Sequence, residues 1–257
     1  MTLALLTTFA SISFAAEKLL QVSTIQALLN GVFEKAVTAD YSNKNSDIGL
    51  GAGVGLGEVV QLNGICYEAD STGVLTVMPK DEGISYFTGA KFNQKKTNTF
   101  KLENLKNSND IQSAIDNKIV SLKGENVFYV MIITGTFETV DARSEIVPNT
   151  ENFKPIAQWM KEYQTKFTFT GEKAVGKVIG IKSPYFMNDI GVYPYHFHYI
   201  SNDNKWGGHI LDFSIKDAEL KILPINEMKL ILPDSKAYLN TYMKLNAGAS
   251  FKKLETK

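Results

Sequence analysis

The chain has 257 residues, 44% of them hydrophobic and 21% charged, an ordinary globular composition with enough apolar material for a large core. Its 27 basic and 27 acidic residues cancel, so the charge balance gives no support to a nucleic-acid or anionic-membrane partner. Cys66 is the only cysteine, which excludes an internal disulfide and leaves the compartment open; it reads as a small buried apolar residue.

Residues 1–16, MTLALLTTFASISFAA, carry no charge and end in small residues. The stretch is too short to span a bilayer and fits a secretory signal, although the usual basic start is missing. The expectation is a mature chain beginning near Glu17, secreted or periplasmic, with no membrane span; a mis-assigned start would leave it cytoplasmic. Residues 18–22 read as a strand, and Ser23 or Thr24 can cap a helix over 25–33, where apolar residues recur at helical spacing. Residues 38–57 are rich in Gly, Asn and Ser and read as a loop whose backbone can approach a ligand or another strand closely. No Gly-Lys-Ser/Thr follows, so this is not a phosphate-binding loop.

Strand-like runs follow at 58–62, 64–68 and 74–78, separated by turn residues at 63–64 and 71–73. Ser108 can cap a helix over 111–119. Residues 127–140 form an apolar strand fit for the centre of a sheet, 155–163 a short helix, and 167–170 with 174–182 a hairpin about Gly171. Strands at 219–223 and 228–232 close the pattern. Strands outnumber helices and do not alternate with them, so the fold class is α+β, with mixed sheets in two lobes, 17–150 and 151–257.

All three histidines, His196, His198 and His209, fall within the second lobe in the run PYHFHYISNDNKWGGH. On a strand, His196 and His198 share one face and Phe197 takes the other. A turn centred on Asp203-Asn204 sets His198 directly opposite His209, with Cβ atoms about 4.5–5.5 Å apart. Three imidazoles converging from one hairpin can hold a metal with open positions left, which is a catalytic rather than a structural pattern. The alternative is a stacked, hydrogen-bonded trio on a half-exposed sheet. Arg143 is the only arginine beside 26 lysines among the 27 basic residues. It marks either a place where only a bidentate grip on a carboxylate serves, or a surface salt bridge.

From about Gln21 onward the sequence resembles the alpha-acetolactate decarboxylase family. The densest stretch is IGIKSPYFMNDIGVYPYHFHYISNDNKWGGHILDF at 179–213, with a His-x-His, a polar turn and a Gly-Gly-His. QVSTIQALLNG at 21–31 and GTFETVDARSEIVP at 135–148 agree more weakly. The resemblance implies that His196, His198 and His209 bind zinc, that Glu58 in LGEVV reaches the metal, and that Arg143 is the active-site arginine. It also implies that Glu255, near the C-terminus, contacts the site. Three departures stand out: Asp203-Asn-Lys205 replaces an Asp-Asp-Arg turn, Leu56-Gly-Glu58 is one residue shorter than the usual Leu-Asp-Gly-Glu, and Ala52 stands where Thr is frequent.

The implied reaction converts 2-acetolactate, a 2-hydroxy-3-keto acid, to acetoin and CO2. Zinc would chelate the hydroxyl and ketone oxygens, Arg143 would orient the carboxylate, and Glu58 or Glu255 would protonate an enediolate on one face. Exposed strand edges suggest a homodimer. Two rival readings remain: a cupin-like metal enzyme, whose third histidine normally comes much later in the chain, and a non-catalytic metal or small-ligand binding protein.

Overall fold

The computed structural model describes residues 17–146 and 154–243. The expected signal segment and Glu255 lie outside them. In chain order the strands are β1 (Lys18–Val22), β2 (Val37–Thr38), β3 (Ile48–Gly53), β4 (Glu58–Leu62), β5 (Ile65–Ala69), β6 (Leu75–Val77) and β7 (Gly83–Ala90). They continue with β8 (Asn98–Leu105), β9 (Phe128–Glu145), β10 (Gln164–Phe169), β11 (Val175–Lys182), β12 (Tyr195–Ser201), β13 (Gly207–Ile225) and β14 (Glu227–Ile231). The helices are α1 (Ile25–Leu29), α2 (Ala39–Asn45), α3 (Ser108–Ile119), α4 (Ile156–Tyr163) and α5 (Lys236–Asn240).

Two sheets, one mixed through the parallel β1–β14 pair and one antiparallel throughout, make up the α+β fold with a few short helices. One sheet runs β14-β1-β7-β3-β4-β5-β6, with β2 added to β7. The other runs β10-β9-β11-β12-β13-β8, and an additional pairing of β9 with β13 closes β9, β11, β12 and β13 into a ring. Strands from both sides of residue 150 enter each sheet: β8 and β9 belong with the histidine strands, and β14 pairs parallel to β1. Leu50, Val60 and Tyr67 of the first sheet pack against Val130, Ile179 and Ile200 of the second in a shared core. The ring holds its own core around Tyr129, Phe197, Tyr199 and Phe213. No helix among the described residues is long and apolar enough to cross a membrane.

Several expectations change. The Gly-rich stretch 38–57 is largely regular: it supplies α2 and the fully buried β3, leaving only the short link at 46–47 and the turn before β4 irregular. Its glycines answer close approach, because a Cβ on Gly51 would lie 2.0 Å from the Tyr86 carbonyl oxygen. The expected hairpin about Gly171 does not form. Instead β10 pairs with the end of β9 (Gln164↔Glu145) and β11 with its beginning (Val175↔Thr136), so both line the same long strand. An 18-residue strand has room for two partners end to end, and that cannot be seen from turn residues alone. Strands β7 and β8 form where none was expected, β9 runs on to Glu145, and α1 ends at Leu29, short of 33. Thr24 caps α1 through Ala27 N–H, and Asn107, one residue before Ser108, caps α3 through Asp110 N–H.

Candidate metal centre and active site

The site forms where the histidine face of the second sheet meets β4 of the first. Strand β12 alternates as expected: Tyr195, Phe197 and Tyr199 enter the ring core, while His196 and His198 face the other way. His198 pairs directly with His209 of β13. His209 in turn pairs with Arg143 of β9, so the three residues form a row across three adjacent strands. Two residues along β9 from Arg143, Glu145 returns to the same face. Glu58 opens β4 opposite Ala69, and the Ser144 hydroxyl ties β9 to this pair by donating to the Ala69 carbonyl at 2.8 Å. Leu56, two residues before Glu58, is a buried non-glycine with φ of 72°, a conformation held only where the surroundings fix it.

Three ring nitrogens point at one another. His196 Nε2 lies 3.1 Å from His209 Nδ1 and 3.0 Å from His198 Nε2, and the last two are 3.3 Å apart. One shared proton can bridge only two of three nitrogens, so hydrogen bonding alone does not account for the triangle. A tetrahedral centre with bonds of about 2.0–2.1 Å has nitrogen–nitrogen edges of roughly 3.3 Å, close to the spacing seen. Burial pushes all three imidazoles well below their ordinary pKa, reinforced by the Arg143 charge and, for His196 and His198, by neighbouring histidines. They are therefore neutral, the form that ligates metal. The residues fit a divalent metal with nitrogen ligands.

Carboxylates complete the polar end. Glu58 Oε2 lies 3.3 Å from His198 Nε2, and its Oε1 accepts a 2.6 Å hydrogen bond from Arg143 Nη1. The same Nη1 also donates to Glu145. Arg143 and Glu58 are each 5% exposed and Glu145 1%, so the lone arginine forms a buried double ion pair. A pocket opens onto this end, with Glu58, Arg143, Glu145, His196 and His209 in its lining. Its other walls are apolar: Leu28 and Leu29 of α1, Ile156 and Met160 of α4, with Leu56, Tyr86 and Val192. The structure thus brings together five of the six residues singled out from the sequence, the three histidines, Glu58 and Arg143; Glu255 is not among the described residues. Glu145 and Tyr86 escaped the sequence reading. Period-2 spacing from Arg143 could have found Glu145, whereas nothing local marks Tyr86.

The sequence profile of the family described as alpha-acetolactate decarboxylase matches residues 19–245. The chain belongs to the alpha-acetolactate decarboxylase family. It is 33% identical over 216 residues to the alpha-acetolactate decarboxylase of Brevibacillus brevis, covering 84% of this chain and 73% of that protein. It is 31% identical over 244 residues to that of Methanosarcina mazei, covering 94% and 81%. The crystal structure of the alpha-acetolactate decarboxylase of Bacillus subtilis superposes with a TM-score of 0.86 at 25% identity, covering 93% of this chain and all of that one. The fold is thus that of an acetolactate decarboxylase family member, and the family match spans every described site residue.

Proposed function

We propose that this protein is a zinc-dependent acetolactate decarboxylase that converts 2-acetolactate to acetoin and CO2. Membership of the family supports the reaction. The triangle of neutral histidine nitrogens beside Glu58 supports the metal and is the single observation that carries the proposal. His196, His198 and His209 would hold zinc, with Glu58 as the fourth group. Bound there, the metal would act as a Lewis acid toward the substrate hydroxyl and ketone oxygens.

The remaining chemistry falls to the chain. Arg143 faces the pocket as its one cationic side chain among the described residues and is suited to orient the substrate carboxylate. When the bond to that carboxylate breaks and CO2 leaves, the electron pair moves into the adjacent ketone to give an enediolate. Arg143 then holds the developing negative charge in a dry site, where such interactions are strongest. A carboxyl must next deliver a proton to the carbon that lost CO2. Glu58, beside the histidines, and Glu255 are proposed as the candidates, and whichever serves must first take up a proton from solvent. The apolar wall receives the two methyl groups and excludes water.

Two buried carboxylates against one guanidinium leave an excess of one negative charge among the described residues. A dication and a monocarboxylate substrate together neutralise it, which favours the metal-dependent decarboxylase over a simple metal carrier. The test is acetoin release from 2-acetolactate by the zinc-loaded protein and by its Arg143→Ala and Glu58→Ala variants. Loss of activity in both is expected. Turnover surviving both changes would remove the mechanism.

A further inference from the structure

Glu145 lines the pocket without a part in the chemistry above. We propose that Glu145 is a positioning residue: it anchors Arg143 away from the second oxygen of Glu58 and so keeps that oxygen turned toward the histidine cluster. This rests on the metal centre proposed above.

The argument is one of competition for a single nitrogen. Arg143 Nη1 carries two protons, and two different carboxylates take them, Glu58 through Oε1 at 2.6 Å and Glu145 through its own Oε1. A guanidinium facing one carboxylate prefers the paired fork geometry, two N–H groups to two oxygens. In that arrangement Arg143 would claim Glu58 Oε2 as well. Instead, Oε2 lies 3.3 Å from His198 Nε2. Glu145 supplies the pull in the other direction, from the strand that carries Arg143 and on the same face. All three groups are buried, so water does not dilute the contest.

The experiment measures zinc affinity of the metal-stripped protein by competition with a chromophoric chelator. Four proteins are compared: wild type, Glu145→Gln, Arg143→Met and the double variant. In the wild-type background Glu145→Gln is expected to weaken zinc binding about 10- to 100-fold, the usual effect of losing a group that orients a ligand. In the Arg143→Met background the same substitution should change affinity by less than about twofold, because nothing is left to capture Glu58. Glu145→Asp keeps the charge with a shorter reach and should fall between wild type and Glu145→Gln; it carries the comparison if the Gln variant does not fold. An unchanged zinc affinity in Glu145→Gln, or the same loss in both backgrounds, would overturn the proposal. A wild-type protein that binds no zinc would overturn instead the metal reading on which it rests, so the two failures are told apart by the wild-type curve.

Discussion

Replacing Arg143 with Met removes the guanidinium and keeps the apolar stem. It leaves Glu58 and Glu145, 5% and 1% exposed, facing each other without their shared cation. Breaking a buried ion pair from one side costs about 3–5 kcal/mol. In a chain of this size each kcal/mol lowers the melting temperature by roughly 2–4 °C, so the metal-free variant should melt about 6–20 °C below metal-free wild type. Zinc brings positive charge back beside Glu58, so the deficit should shrink when both proteins are zinc-loaded. Turnover should not recover with it. Losing one charge-stabilising donor lowers kcat by about 100- to 1,000-fold. Arg143→Lys, which keeps the charge but not the fork, should fall between. Differential scanning fluorimetry with chelator and with zinc, alongside acetoin release, reads all of this. Equal melting temperatures in the chelated state, together with near-normal turnover, would refute the placement of Arg143 as a buried double anchor.

Other consequences can be checked in the same way. Met160→Ala opens the apolar wall beside α1, and should raise kcat/KM for the substrate with ethyl in place of methyl by about tenfold relative to acetolactate, since one methylene is worth about 1–3 kcal/mol; an unchanged ratio would show that α4 does not set the size limit. Gly207→Ala would place a Cβ 2.3 Å from the Tyr199 carbonyl oxygen, forcing β12 and β13 apart just before His209. A lower melting temperature and zinc binding weakened at least about tenfold are expected, and wild-type affinity would show that the hairpin tolerates the shift. Burial, with repulsion from Glu82, raises the Glu68 carboxyl from 4.5 to about 7. The folded chain therefore keeps a proton that the unfolded chain has released, and this contribution to stability is present below pH 4.5 and lost as pH rises to about 7. Glu68→Gln should match wild type at the acid end and exceed it by about 1–3 kcal/mol above the upper limit, measured by urea unfolding across the range. A constant difference at every pH would contradict the assignment.

The histidine site was legible because its geometry is local. A hairpin of known turn chemistry fixes its own register, and His198 does pair with His209. Arg143 stood out by residue type, but its place beside His209 depends on β9 meeting β13, strands more than sixty residues apart in the chain, which no turn signal reveals. Glu145 was hidden for the same reason: the strand read from the sequence ended at 140, whereas β9 extends to Glu145. The glycines of 48–53 misled in the opposite direction. Gly usually marks a flexible loop, yet here Gly49 and Gly51 make room for the Phe87 ring and the Tyr86 backbone within a buried strand. Apolar runs drew β1, β4, β5 and β11 close to their observed bounds but missed β7 and β8; which strand bordered which was decided by long-range packing between the sheets.

The central claim is that His196, His198, His209 and Glu58 hold the zinc on which acetoin formation depends. The most direct measurement strips metal from the purified protein with a chelator, then follows bound zinc and acetoin release from 2-acetolactate together as zinc is returned. One zinc per chain, activity abolished on stripping and restored in proportion to zinc bound, is the predicted result. Acetoin release undiminished in the stripped protein, or full zinc binding with no acetoin formed, would contradict it.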